Sequence, residues 1–175
     1  SWTEKQGEEI TVALVQGNIS QHLKWQRESK YPTLNLYRQL SLEQTDVDLI
    51  VWPETAIPGY QHTLEKYIAD LDKEMQANET ELLAGMFIKD LQTGRYYNSL
   101  SNVSGGEYRK RHLVPLGEYV PLRSLIDFFN RFVKIPMSDI DSGDFDQPLL
   151  QGAGQPLGVS ICFEDAFSRD VRKDL

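Results

Sequence analysis

The feature that most constrains this chain is the alternation of short apolar segments with amphipathic ones. Residues 47–52, VDLIVW, are almost entirely apolar and stop at a proline, which is typical of a strand buried on both faces of a sheet. Two further β-rich runs lie at 10–16 and 81–88, and helical spacing of apolar residues separates the three runs, at 29–44 and at 62–77. This alternation predicts an α/β fold.

The second half of the chain predicts more strands and a mixed sheet. Strands at 96–103 and 107–112 flank a Gly-Gly pair, which predicts a hairpin and therefore antiparallel pairing beside the parallel strands. Residues 122–133 have helical spacing, and a further strand pair is predicted near 147–150 and 155–162.

Composition limits the classes of partner. The 175 residues, 40 % of them apolar, suit one domain with a sizeable core. Eighteen basic against twenty-six acidic side chains give a net charge of −8, which argues against nucleic acid as the main partner and against simple electrostatic adhesion to an anionic bilayer. A single cysteine excludes an intrachain disulfide.

Two charged residues stand near the ends of predicted strands, where α/β sheets place reactive groups. Glu54 follows the strand 47–52, and a partly desolvated carboxylate there is a good proton acceptor. Lys110, near the end of the strand 107–112, could act as a fixed cation that stabilises developing negative charge. The plainer alternatives are a solvent-facing turn residue and a lysine that keeps a sheet edge soluble.

The lone cysteine has the most suggestive position. Cys162 lies between a predicted strand and a helix predicted from Asp165 onward, and a helix N-terminus favours the thiolate. The alternative is a small buried apolar residue. Glu164 could orient the neighbouring lysine or glutamate, or it could simply complement the helix dipole.

Several other chemistries find no support in the sequence. His22, His62 and His112 have no second ligand at metal spacing, so neither a metal nor a cofactor is predicted. There is no G-x-S-x-G motif, and GAGQPLG at 152–158 lacks the features of a phosphate-binding loop. A cysteine–histidine pair that uses His112 stays open as an alternative.

Longer motifs identify a family. They are VQGNI at 15–19 with LKW at 23–25, WPETAIP at 52–58, YRKRHLVPLGEYVP at 108–121, and ICFE at 161–164. Four such pieces in this order resemble the nitrilase superfamily of carbon-nitrogen hydrolases and, within it, the apolipoprotein N-acyltransferase branch. The resemblance implies a nitrilase-type α-β-β-α sandwich with mixed sheets, here truncated at the C-terminal side. Residues 1–9 would be a linker from an upstream membrane domain, and 10–175 a partial catalytic domain.

The resemblance also implies residue roles. Glu54 would be the general base, Lys110 the cation that stabilises the oxyanion, and Cys162 the acylated nucleophile. Supporting positions in the active site fall on Trp25, Glu118, Phe163 and Glu164. Phe163 stands where tyrosine is common in this branch, so only its backbone N–H is left for an oxyanion hole.

The implied reaction is transfer of a fatty acyl chain from a phospholipid to the N-terminal amine of diacylglyceryl-cysteine apolipoproteins, through a thioester on Cys162. It implies a phospholipid donor, a lipoprotein acceptor, no cofactor and no nucleic acid. The site would lie on the periplasmic side of the bacterial inner membrane, with the membrane bound through the upstream domain. Apolar residues after Glu54 and Glu118 could line a dry acyl path, namely Ile57, Tyr60, Tyr119 and Leu122.

Two alternatives share parts of this interpretation. A soluble nitrilase-type amidase or carbamoylase would use the same three residues with water as acceptor. A catalytically silent domain would serve only as a binding module, although an intact set of Glu54, Lys110 and Cys162 weighs against it.

Overall fold

The computed structural model describes residues 7–114, 118 and 140–167. Within these residues the helices are α1 (Gln21–Lys24), α2 (Lys30–Leu42) and α3 (Glu65–Ala77). The strands are β1 (Val12–Leu14), β2 (Leu49–Val51), β3 (Glu81–Lys89), β4 (Tyr96–Asn102), β5 (Glu107–Arg109), β6 (Leu150–Gly152) and β7 (Gln155–Leu157). The helix predicted at 122–133 lies outside the described residues. None of the helices in the described part has the length and apolar character needed to cross a membrane.

Five strands form one mixed sheet in the order β1-β2-β3-β4-β5. β1, β2 and β3 are parallel, whereas β4 pairs antiparallel with both β3 and β5. β3 is the central strand, and its seven middle residues are all buried. The predicted α/β class and the mixed sheet are confirmed.

Helices α2 and α3 cover one face of the sheet. Their apolar stripes pack on side chains that point from alternate positions of the strands, because successive strand residues face opposite sides of the sheet. The core on this side contains Leu34, Ile50, Trp52, Leu71, Leu82 and Met86. The buried Trp52 indole donates to Ser41 Oγ at 2.8 Å, so its polar atom is satisfied.

The β6-β7 hairpin packs on the opposite face. Leu150 joins Leu49 and Leu83 in a second apolar cluster there. Ala153 and Gly154, both with positive φ, make the two-residue turn that connects the hairpin strands.

The predicted boundaries of this last region were wrong. The strand expected at 147–150 begins at Leu150, and the strand expected at 155–162 ends at Leu157. The turn at 153–154 sets the pairing register, so the preceding strand must occupy 150–152. Where a helix is expected from Asp165 onward, the structure has a 3₁₀ turn over Cys162–Ala166, and the rest of the expected helix, at 168–175, lies outside the described residues.

Candidate active site

The turn that carries Glu54 passes over Gly85 of the neighbouring strand β3. After β2 ends, the backbone of Pro53, Glu54 and Thr55 lies directly on Gly85 of β3, on the hairpin side of the sheet. A Cβ added at Gly85 would lie 2.3 Å from the Pro53 carbonyl oxygen and 2.7 Å from Glu54 Cα. Thr55 turns the chain with φ of 51°. The missing side chain at Gly85 therefore lets the turn bring the Glu54 carboxylate toward β4 and β5.

Lys110 lies between two carboxylates. It follows β5, is only 1 % exposed, and its Nζ lies 3.2 Å from Glu54 Oε1 and 2.9 Å from Glu118 Oε2. Burial alone would lower the pKa of this ammonium, but the hydrogen bond to Glu118 and the charges of both glutamates raise its pKa above the ordinary lysine value. Lys110 is therefore a fixed positive charge at neutral pH.

Asn98 is a further member of this cluster, and sequence reasoning missed it. It lies on β4, and its Nδ2 donates to Glu54 Oε1 at 2.6 Å and to Glu118 Oε1 at 2.7 Å. Its backbone carbonyl accepts a hydrogen bond from the Lys110 N–H at 2.8 Å. The one available signal was an asparagine in the middle of a strand, where this residue type is depleted.

Cys162 begins the 3₁₀ turn and is exposed. Its φ of 57° falls in the left-handed region, which a residue with a Cβ rarely adopts. No hydrogen bond joins its thiol to Glu54 or Lys110 within the described residues.

Glu164 fastens the cysteine turn to the chain that follows Lys110. This carboxylate is 4 % exposed and accepts hydrogen bonds from the backbone N–H groups of Arg111 (2.6 Å), His112 (3.0 Å) and Ile161 (2.7 Å). The Tyr108 hydroxyl donates to both of its oxygens at 3.0 Å. Glu164 thus contacts the backbone beside Lys110 and not the Lys110 amine itself.

A cavity of about 890 Å³ opens beside the two glutamates. Glu54, Asn98 and Glu118 are among the residues that line it. Most of its remaining wall is apolar, with Leu14, Val15, Ile19, Trp25, Phe87 and Ile140. The cavity therefore suits a largely apolar group whose polar end meets the carboxylates.

Lys24 is a second cation at this cavity. Its Nζ donates to the Glu54 carbonyl oxygen at 3.2 Å. Burial lowers the pKa of Lys24, and the charge of Glu54 partly offsets that shift. Lys24 belongs to the LKW motif at 23–25, but sequence reasoning assigned a role only to the neighbouring Trp25.

The other predicted residues are dispersed. Trp25 is half exposed at the cavity and packs on Phe87, with ring centroids 6.1 Å apart. Phe163 is half exposed and meets Phe167 edge to face at 5.4 Å. Ile57 is fully buried in the helix-side core, and Tyr60 lies against Tyr96, so neither lines the cavity. Tyr119 and Leu122 lie outside the described residues.

The sequence comparisons agree on one protein family. The carbon-nitrogen hydrolase family model matches residues 11–174. The apolipoprotein N-acyltransferase of Methylococcus capsulatus is 41 % identical over 172 residues, covering 97 % of this chain and 34 % of the relative. Its counterpart in Vibrio vulnificus is 34 % identical, with 99 % and 37 % covered. Apolipoprotein N-acyltransferase of Pseudomonas aeruginosa is 42 % identical, with 95 % and 34 % covered.

The chain spans about a third of the length of these relatives. Among solved structures, a carbon-nitrogen hydrolase from Helicobacter pylori superposes with a TM-score of 0.60 at 19 % identity, covering 94 % of this chain and 55 % of that one. This likeness supports the fold.

Proposed function

This chain belongs to the carbon-nitrogen hydrolase family, and from that membership we propose that it is the catalytic part of an apolipoprotein N-acyltransferase. The observation that carries the proposal is the Lys110 ammonium, buried between the carboxylates of Glu54 and Glu118. The identity of 34–42 % to enzymes of that name supports this activity over a hydrolytic amidase.

In the first half-reaction Glu54 takes the thiol proton of Cys162, and the thiolate attacks the ester carbonyl of a phospholipid. A carbon–sulfur bond forms, the ester carbon–oxygen bond breaks, and Glu54 returns the proton to the departing lysophospholipid alkoxide. Lys110 and the Phe163 N–H stabilise the oxyanion of the tetrahedral intermediate. Glu118 holds Lys110 in place through its 2.9 Å ion pair.

In the second half-reaction the α-amine of a diacylglyceryl-modified cysteine attacks the thioester. A carbon–nitrogen bond forms and the carbon–sulfur bond breaks, while Glu54 takes the proton that the amine loses and passes it to the departing thiolate, which restores the thiol. The acyl chain is proposed to lie against the apolar part of the cavity wall. Trp25, half exposed at this wall, contacts the chain.

The proposed setting follows from the substrates. A phospholipid donor and a lipid-modified acceptor both reside in a membrane, so we place the site at the periplasmic face of the bacterial inner membrane. Residues 1–9 are proposed to link residues 10–175 to a membrane domain.

The test is mass spectrometry of the full-length protein purified from membranes. We expect a fatty acyl adduct on Cys162, absent from Cys162→Ala. Glu54→Gln should bind phospholipid but form the adduct at least about a hundredfold more slowly, because it removes the general base. A wild-type rate of adduct formation in Glu54→Gln would remove Glu54 from the mechanism, and an adduct on another residue would refute the proposal.

A further inference from the structure

Asn98 contacts both carboxylates of the cluster around Lys110 and also the backbone N–H of Lys110. Its side-chain amide donates one hydrogen bond to Glu54 and one to Glu118, at 2.6 and 2.7 Å. Its backbone carbonyl receives the Lys110 N–H at 2.8 Å. An amide nitrogen has two hydrogens, so both are committed to the two carboxylates.

These contacts alternate donors with acceptors. Glu54 Oε1 and Glu118 Oε1 each accept from the Asn98 amide and from Lys110 Nζ, the latter at 3.2 and 3.0 Å. Lys110 supplies the charge that offsets the two carboxylates. Asn98 supplies a neutral donor on a different strand, so the two oxygens are held from two directions.

The side-chain oxygen of Asn98 also indicates that the NH₂ group is the half of the amide that matters. Asn98 is 2 % exposed, and its Oδ1 has no hydrogen-bond partner within the described residues. Exchanging the two amide atoms would satisfy neither group, since Oδ1 would then face two carboxylate oxygens. The fold therefore tolerates a buried unsatisfied oxygen in order to present the two N–H donors.

Gly85 and Asn98 also explain how the base reaches this point. Asn98 pairs with Phe87 across β3 and β4, two positions along β3 from Gly85, and directly opposed residues share a face of the sheet. The Glu54 turn that lies on Gly85 therefore arrives on the face from which the Asn98 side chain projects.

We propose that Asn98 is a positioning residue that holds Glu54 and Glu118 in register on one amide group and thereby sets the reactivity of Cys162. The proposal rests on the proposed chemistry of Glu54. It assigns Asn98 no contact with substrate, because its free oxygen is buried.

The test compares Asn98→Asp with Asn102→Asp in the full-length protein. Asn102 lies on the same strand, is buried, and its amide donates to Glu81 and to the backbone carbonyl of Gln151 in β6, neither of which belongs to the cluster. Both variants replace an amide that donates to a glutamate by a carboxylate of the same shape. The readout is the rate of Cys162 alkylation by iodoacetamide between pH 5 and 9, with the melting temperature of each variant.

For Asn98→Asp we expect alkylation at pH 7 to slow by roughly tenfold to a hundredfold, because the displaced base loses its geometry. The acid limb of the rate profile should also move to higher pH, because a third carboxylate joins Glu54 and Glu118 against the charges of Lys110 and Lys24. A purely structural role would lower the rate equally at every pH. Asn102→Asp should lose stability, and any slowing that it causes through the β6-β7 hairpin should be equal at every pH, so its acid limb should not move.

Asn98→Ser covers the case in which Asn98→Asp folds poorly. It keeps one donor and adds no charge, so we expect a smaller slowing with an unmoved acid limb. Wild-type alkylation in either Asn98 variant, or an equal shift of the acid limb in Asn102→Asp, overturns the proposal. Because iodoacetamide requires no lipid, a missing acyl adduct alongside Asn98-dependent alkylation would refute the proposed function alone.

Discussion

At the scale of single residues, Glu164 joins the cysteine turn to the chain that follows Lys110 through hydrogen bonds from backbone N–H groups. In Glu164→Gln, the new side-chain NH₂ group would face the backbone N–H groups that bind the carboxylate in the wild-type protein. We expect a loss of about 2–3 kcal/mol in the free energy of unfolding, since hydrogen bonds to a buried charge are replaced by a donor clash. Urea denaturation measures this value. Asp165→Asn, at the exposed neighbouring residue, is the control and should change it by less than about 0.5 kcal/mol.

Lys24 gives a prediction about pH. Burial holds its pKa below the ordinary value of 10.5, so the folded protein binds this proton less tightly than the unfolded chain. The charged amine therefore destabilises the fold at neutral pH, and the destabilisation fades as pH rises from the folded-state pKa toward 10.5. Lys24→Met should melt higher than wild type at pH 7, with a difference that narrows toward pH 10.

Melting curves of both proteins across this pH range measure that difference. A difference in melting temperature that stays the same at every pH would contradict this explanation, because the stability change would then not depend on the charge of Lys24. Lys24→Arg is the control, since it keeps a cation at the cavity and should not melt higher than wild type.

The residues of the cluster differ in how far the sequence could predict them. Motifs pointed to Glu54, Lys110 and Glu118, and the structure brings these three side chains into contact, while their catalytic roles stay predictions. Asn98 could not be found in this way. It is neutral and lies within a strand, and its importance comes from pairings across β3 and β5 that only the folded sheet creates.

At the scale of elements, the turn that carries Glu54 depends on Gly85. Gly85→Ala places a methyl group within 2.3 Å of backbone that has no freedom to move aside. We expect acylation of Cys162 to fall by roughly a hundredfold, because the base shifts by about an ångström. Single-turnover acylation measures the effect.

Gly59→Ala is the matched control for this substitution. Its added carbon would meet mainly the flexible end of Lys30, at 3.0 Å, which can move away. Acylation close to the wild-type rate is expected there, and an equal loss in both alanine variants would refute the special role of Gly85.

Elements were predictable where the periodicity was long. The helices at 29–44 and 62–77 correspond to α2 and α3, and the hairpin at 96–112 corresponds to β4 and β5. The error at β6 and β7 arose because Ala153, a residue that gives no turn signal, adopts positive φ beside Gly154. The resulting turn shifts the strand register, which local propensity does not reveal.

At the scale of the whole molecule, the β6-β7 hairpin leads the chain from the sheet to Cys162. Leu150 anchors the hairpin on Leu49 and Leu83. Leu150→Ala should lower the free energy of unfolding by about 2–4 kcal/mol through the cavity it leaves, and urea denaturation measures this. Leu91→Ala, at a side chain that is 79 % exposed, is the control and should be nearly neutral.

The same hairpin should also affect the acylation of Cys162. Loosening Leu150 should also slow adduct formation on Cys162, because the turn that bears the cysteine is carried by the displaced strands. Full activity in a destabilised Leu150→Ala would show that the β6-β7 hairpin does not position the cysteine turn.

The glutamates, the amide and the ammonium of the cluster come from three separate stretches of chain, and the four strands β2 to β5 must pair before they meet. While the polypeptide is still emerging from the ribosome it holds the parts of a base but no assembled base. Under the proposed mechanism, the base that would serve Cys162 therefore exists only after these strands have paired.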